Sequence, residues 1–430
     1  MATLLYLAAA VFGVLSILLY APVKQTVLIL GVTRPLDTWQ NIHGLETHVI
    51  PDTVSCEDLH YHEPSGVIYS ACAGDLERMA GWFPAASSFG HPENPSYGSL
   101  VVINPKTMKS QKLTLEGFEG PFVTHGIGIY TAPSDAKTVY IFAVNHLPNA
   151  RWTAGSSEPK AASRIEVFTH TVGSSAARHL RSVAHPLIQT PNDVLPLSER
   201  EFLVTNDHVF RDGALRIAEE LVGYPRTTTL HVRLGDGADD VEATVALASI
   251  NNNNGLGWGP DRQVLVSSAA GGRIYFAALE RAGDNATAPA RLAVSHWAQA
   301  DTVVDNPTFF ADPYAGADGV DYSGYLLPAI ARVHEFVDHF RDPTGRAPLP
   351  SIISYLPARG GQKPAKGAAA PRPRFLFSDD GRLLRGATTA VLVPIDPAES
   401  GGKRQGWLFV TGVIAPHMVA TRIDFATALA

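Results

Sequence analysis

From about Asp37 onward the chain alternates short apolar runs, rich in Val, Ile, Tyr and Phe, with clusters of Gly, Pro, Asn and Asp. Branched and aromatic side chains suit a pleated surface and the intervening residues are turn formers, so the pattern predicts many short strands joined by turns. The clearest strands are expected over residues 66–70, 99–103, 138–143, 164–168, 201–205, 263–267, 273–276 and 406–410. Several follow one kind of turn, at Glu63-Pro-Ser-Gly66, Ala132-Pro-Ser-Asp135, Trp258-Gly-Pro-Asp261 and Ser378-Asp-Asp-Gly381. A loose repeat of roughly 50–60 residues with this content is the rhythm of propeller blades. A β-sandwich would also account for the strands, but it has no axis at which distant residues could meet. The expectation is an all-β, six-bladed β-propeller over residues 41–430, preceded by a linker over 24–40.

Two stretches break the rhythm. Residues 325–340 carry Ala329, Val333, Phe336 and Phe340 at three-to-four spacing, which predicts an amphipathic helix, packed on the propeller or serving as a lid or membrane-facing patch. Residues 358–373 are positively charged and of low complexity, and read as a surface loop. At the other end, residues 3–20 contain no charge and are long enough, at roughly 27 Å as a helix, to approach the thickness of a bilayer core. The leader over 1–23 is read as an uncleaved signal anchor, because no basic region precedes it and Leu18-Leu-Tyr-Ala-Pro22 is a poor cleavage site. A cleaved signal peptide and a buried core helix are the alternatives. Lys24 and Arg34 favour a cytoplasmic side after the helix, whereas Asn285-Ala-Thr287 is a glycan acceptor and favours a lumenal body. The expected location is the secretory pathway, membrane-anchored through the N-terminal helix or secreted.

Composition narrows the partners. The net charge is −7 and there is no long basic run, which argues against a nucleic-acid partner. Two cysteines, Cys56 and Cys72, supply neither a zinc site nor a disulfide framework. More informative are amide and carboxylate side chains in tandem: Glu57-Asp58, Asn192-Asp193 and Asp305-Asn306, with Asn251-Asn-Asn-Asn254 between them. Neutral and anionic oxygens together are what calcium takes. Asn and Asp are also turn formers, so a single pair would be equally well explained as a capping or turn device. Pairs so far apart serve one ion only if the fold returns them to a common centre.

In their order and context these motifs resemble the paraoxonase/arylesterase group of calcium-dependent lactonases. The resemblance runs from about Asn41 to Ala426 and rests on Glu57-Asp-Leu59, Phe122-Val-Thr-His-Gly-Ile127, Val144-Asn-His146, Pro191-Asn-Asp193, Thr205-Asn-Asp-His208, Asn254-Gly255, Val304-Asp-Asn306 and Leu384-Arg-Gly-Ala-Thr388. The leader resembles that family's retained one. The resemblance implies a six-bladed propeller with two calcium ions in its central tunnel. Carried over residue by residue, Glu57, Asn192, Asn254, Asp305 and Asn306 would hold a catalytic calcium. Asp58, Asp193 and the backbone carbonyl of Ile127 would hold a structural one. Each site then has two carboxylates, which balance one divalent ion. His125 and His146 are implied as a dyad, His125 activating water and His146 orienting it. His208, polarised by Asp207, is implied as a residue of the substrate pocket. The implied activity is hydrolysis of lactones and aryl esters, with calcium polarising the carbonyl.

The chain also departs from the family pattern. It has no cysteine in its last blade, so ring closure must rely on strand pairing with the N-terminal segment. Cys56 and Cys72 instead flank the turn at Glu63–Gly66 almost symmetrically, which fits either a local disulfide across a hairpin or two buried thiols. Tyr325-Leu-Leu-Pro328 stands near where the family places a pocket histidine, so substrate preference does not transfer. The rival readings are a gluconolactonase-like sugar lactonase, which needs one metal, and a non-catalytic propeller related to strictosidine synthase or a lipid-associated binding protein. A serine acyl-enzyme has no motif to support it.

Overall fold

The structure is a computed structural model and describes residues 20–21, 23–223, 225–283, 288–316, 319–342, 347–363 and 371–429. Six largely antiparallel sheets follow one another along the chain; four run in chain order from an inner to an outer strand, one adds the earlier strand Thr114–Glu116 parallel to its outer edge, and one is completed by a strand from the N-terminal region. The inner strands are Cys56–His62, Thr124–Thr131, Pro191–Ser198, Asn253–Trp258, Thr308–Phe310 and Ala387–Ile395, for blades 1 to 6. Each contacts the inner strands of the neighbouring blades, and the sixth contacts the first, so together they ring a central axis. Six of the eight strands expected from the sequence fall within observed ones, and the other two, 66–70 and 263–267, begin one residue before the observed strand. The blades start at wider and less even intervals than the expected repeat.

The apolar residues of each blade bury themselves between blades and not along the axis. Leu59, Ile68 and Val101 of blade 1 meet Val391, Val393 and Phe409 of blade 6. Val144, Ile165 and Val167 of blade 2 meet Val194, Phe202 and Val204 of blade 3. Similar clusters fill the remaining interfaces. A blade is apolar on both faces for this reason, and the axis is left to polar side chains. The ring closes without a covalent link. Thr47–Ile50 completes blade 6 by pairing antiparallel with Met418–Asp424, from Thr47 opposite Thr421 to Ile50 opposite Met418.

Residues 325–340 are not one helix. Gly324–Ile330 is the second strand of blade 5, buried at every position, and only the short helix Phe336–Phe340 follows a 3-10 turn at Val333–Glu335. Pro328 has no N–H for a helical bond, and a strand packed on both faces shows no alternation for the eye to find. The 24–40 stretch is not a free connector either. Ile29 is buried against Val303, Ala329, Ala331 and Ile352 of the blade 5 region, and Arg34 donates to the carbonyls of Ala331 and Asp301. The expected leader helix falls almost entirely on residues 1–19, and the Asn285 acceptor on 284–287, both outside the described residues. Among the described residues no helix is long and apolar enough to cross a membrane. The 358–373 stretch opens with a 3-10 turn at Ala358–Gly361, and its residues 364–370 lie outside the described ones.

Candidate active site

The sequence pairs stand at the axial starts of the inner strands, and at five of these six starts the inner strand carries one more residue than its partner. The register shifts fall at Cys56/Asp58, across Thr124–Ile127, at Pro191/Val194, at Asn253/Leu256 and at Ala387/Thr389. A bulge breaks the strict alternation of a strand and re-aims side chains. Consecutive residues such as Glu57 and Asp58 can therefore both address the axis. The strands approach so closely that two positions admit only glycine. A Cβ on Gly126 would lie 2.4 Å from the Asn192 carbonyl oxygen, and one on Gly255 would lie 2.5 Å from the Asn306 Cα.

Of the residues expected around a catalytic ion, this arrangement brings Glu57, Asp305 and Asn306 together. Asn306 Nδ2 donates to Glu57 Oε1 at 2.7 Å, and Asn192 Nδ2 faces Asp207 Oδ2 at 3.4 Å. The remaining oxygens of these groups, Glu57 Oε2, Asn192 Oδ1, Asn306 Oδ1 and also Asn254 Oδ1, are buried and accept no hydrogen bond. Orphaned buried acceptors are rare and call for a partner. Burial first, and then the nearby Asp305, Asp58 and Asp193, push the Glu57 carboxyl well above its ordinary range, against the opposing bond from Asn306. Asp305 is raised by burial and by Asp58, and Asp193 by burial and Asp58. A set of buried, mutually repelling carboxylates with bare amide oxygens fits a divalent cation with oxygen preference. Among the described residues no three His, Cys, Asp or Glu side chains alone form a metal-binding group, and amides make up much of this donor set. Of the four asparagines at 251–254, Asn253 turns its amide nitrogen to Thr229 Oγ1 at 2.7 Å, and both Asn253 and Asn254 keep a buried side-chain oxygen without a partner.

The residues expected around a structural ion are differently placed. Asp193 accepts from the backbone N–H groups of Val194 and Leu256 at 2.7 and 2.6 Å. Asp58 accepts from Leu59 N, Thr389 Oγ1 and Ile127 N. The Ile127 carbonyl oxygen lies 2.7 Å from His60 Nε2, which is also 3.1 Å from Asp58 Oδ2. Burial lowers the His60 ring pKa, but Asp58 and Asp193 outweigh it and leave the ring at about 9.

His125 and His146 meet. Nδ1 of His125 is 3.0 Å from Nε2 of His146, whose Nδ1 is 2.9 Å from Ser163 Oγ. Both rings are buried, and the edge of Phe83 packs on each, with centroids at 5.0 and 5.6 Å. Burial lowers His125 to about 4 against the pull of Asp207 and Asp58, and lowers His146 well below the usual imidazole range. The pair is fixed by a backbone clamp: Val123 N donates to Asn145 Oδ1 at 2.9 Å and His146 N to the Val123 carbonyl at 3.0 Å. Asn145 in turn donates to Glu166, a fully buried carboxylate that also accepts from Arg164, His179 and Ser182.

A cavity opens beside the dyad, with His146, Ser163, Pro191, Asp207, Lys160 and Arg216 in its wall. Asp207 pairs with His208 Nδ1 at 2.9 Å; burial would raise its carboxyl, but His208 and Arg216 hold it below its ordinary range. Asp207 lines this cavity directly, and buried His208 stands behind it as that carboxylate's partner. Phe340 stacks on Phe83 at 5.5 Å, so the end of the 325–340 stretch does contribute to the site's wall. Cys56 and Cys72 lie opposite each other in blade 1 and are joined as a disulfide. Sequence reasoning missed Phe83, Ser163, Glu166 and Arg216. Arg216 sits on the helix Gly213–Val222, which Asp212 before it and Gly223 after it do signal.

The arylesterase family model matches residues 80–288. The serum paraoxonase/arylesterase 2 of Gallus gallus is 29% identical over 185 residues, 43% of this chain and 46% of that protein. Over this stretch the chain is similar to the paraoxonase/arylesterase family. The serum paraoxonase/lactonase 3 of Oryctolagus cuniculus is 25% identical over 311 residues, 72% of this chain and 74% of that protein. The match to the chicken paraoxonase thus spans about half of that relative's length. Among solved structures, a putative gluconolactonase superposes with a TM-score of 0.39 at 11% identity, over 88% of this chain and 94% of that one, too distant to carry an argument.

Proposed function

We propose that this chain is a calcium-dependent hydrolase of lactones and aryl esters, with Glu57, Asn192, Asn254, Asp305 and Asn306 holding the ion. The observation that carries the reading is the pairing of His125 and His146 at 3.0 Å, next to a strand whose Asn192 oxygen is one of four buried acceptors without a partner. Bound there, calcium would supply a Lewis acid that polarises the substrate carbonyl and opposes the charge developing on its oxygen. His125 takes the proton of the attacking water. Its low basicity keeps it neutral near pH 7, so a lone pair is available. To act as base the ring carries its single proton on Nδ1, towards His146, so that the other ring nitrogen leaves the Pro191 carbonyl and offers its lone pair to the incoming water. His146 accepts the proton that His125 carries on Nδ1, and Ser163 fixes the His146 tautomer. Phe83 excludes bulk water from one side of both rings. Asp207 and Arg216 set the polarity of the cavity beside His146.

The disulfide and the serum relatives favour the secretory pathway for this chain. The test is hydrolysis of phenyl acetate, aliphatic lactones and gluconolactone by the full chain, in calcium and after exhaustive chelation. Activity that disappears on chelation and returns with calcium is expected. Activity indifferent to chelation refutes the calcium reading, and activity confined to gluconolactone favours the sugar-lactonase alternative.

A further inference from the structure

We infer that the His60 side chain takes the place of a second cation in this chain, so that the axis holds one calcium ion and not two. The inference rests on the calcium reading above and concerns only the second site. Asp58 and His60 are two apart on the inner strand Cys56–His62, and side chains two apart share a face. His60 Nε2 therefore comes 2.7 Å from the Ile127 carbonyl and 3.1 Å from Asp58 Oδ2, two of the groups the family resemblance assigns to the structural ion.

Calcium gathers six to eight oxygens at about 2.3–2.6 Å. An N–H directed between two of those oxygens occupies the volume the ion would need. The other acceptors are engaged as well. Asp58 takes Leu59 N and Thr389 Oγ1 on Oδ1 and Ile127 N on Oδ2, and Asp193 takes Val194 N and Leu256 N. None of the side-chain oxygens of Asp58 or Asp193 is without a partner, in contrast to the four bare oxygens of the first site. The same imidazole performs a structural ion's task, because Asp58 belongs to blade 1 and Ile127 to blade 2.

The deciding measurement is the calcium content of the full chain by elemental analysis, after equilibration with calcium and desalting. It is made on the wild type, on His60→Ala and on His60→Gln. The expected result is one ion per chain in the wild type and in His60→Gln, which keeps a donor in place, and two in His60→Ala. Two ions in the wild type overturn the inference and leave the hydrolase reading standing. One ion in both the wild type and His60→Ala also overturns it, since the ring is then not what excludes the second ion. No ion in the wild type overturns the calcium reading and this inference with it. Should His60→Ala fail to fold, the wild-type and His60→Gln contents still decide, and two ions in either count against the inference.

Discussion

Replacing Glu166 by Gln tests how the dyad is held without touching it. Glu166 is fully buried and receives Arg164 and Asn145 on one oxygen and His179 and Ser182 on the other. Burial alone would raise its pKa, but the bonds from His179, Ser182, Arg164 and Asn145 outweigh burial and bring it from 4.5 to about 2. Each tenfold change in a proton equilibrium is about 1.4 kcal/mol, so the carboxylate contributes about 3 kcal/mol to folding at neutral pH. The folded pKa is depressed, so this contribution is complete above about 4.5 and is lost as pH falls from there towards 2. A glutamine keeps the shape but presents its amide hydrogens to two donors.

The expected result is a loss of about 3 kcal/mol in Glu166→Gln at pH 7, read from urea unfolding midpoints, with the gap to wild type narrowing at pH 3. Because Glu166 also anchors Asn145, whose side chain fixes Val123 beside the dyad, kcat should fall while KM changes little. Coincident unfolding curves at pH 7, or a gap between wild type and variant that is the same at pH 7 and pH 3, would refute the reasoning. Measuring the difference between the two proteins removes the contribution of the other carboxylates that titrate over that range.

Ser163→Ala should lower kcat for phenyl acetate about tenfold, or about 1.4 kcal/mol, by freeing the His146 tautomer, while leaving KM nearly unchanged; initial rates check this. Asn192→Ala removes a neutral oxygen from the proposed ion site, and its calcium dissociation constant should rise by about tenfold or more in titrations of chelated protein. Cys72→Ala opens a loop with a sequence separation of 16 and should cost about 3 kcal/mol, seen as a lower denaturation midpoint that no longer responds to reductant.

The strands were legible because branched and aromatic runs between turn formers have few other uses. The candidate pairs stood out because carboxylate and amide side chains in tandem are uncommon inside apolar stretches. What brings the pairs to one axis was not visible. A bulge is a difference in residue count between two strands, as where Cys56 and Asp58 face Cys72 and Ala71, and neither strand shows it alone. Residues 325–340 misled because Gly324–Ile330 is apolar throughout, and its last residues fall into helical spacing with those that follow. Pro328 was the contrary signal. The two-residue spacing of Asp58 and His60 was also open to view, but its meaning depends on Ile127 arriving from the next blade.

The axis also has a mechanical role. The ring is closed by the four-residue strand Thr47–Ile50, paired with Met418–Asp424. That strand is short and exposed at Thr47 and Val49, with Ile50 buried, and by itself is a weak latch. The bonds at the tunnel start supplement it, because several of them cross between blades. Asn306 before blade 5 reaches Glu57 in blade 1, and Thr389 of blade 6 reaches Asp58. Ile127 of blade 2 donates to Asp58, and Leu256 of blade 4 donates to Asp193 of blade 3. The proposed ion ligands are likewise drawn from blades 1, 3 and 4 and the approach to blade 5. Groups arranged for chemistry at the axis are therefore the same groups that keep the ring from opening. This is why the second carboxylate pair, Asp58 and Asp193, with His60 beside it, has a structural use even if only the first site meets substrate.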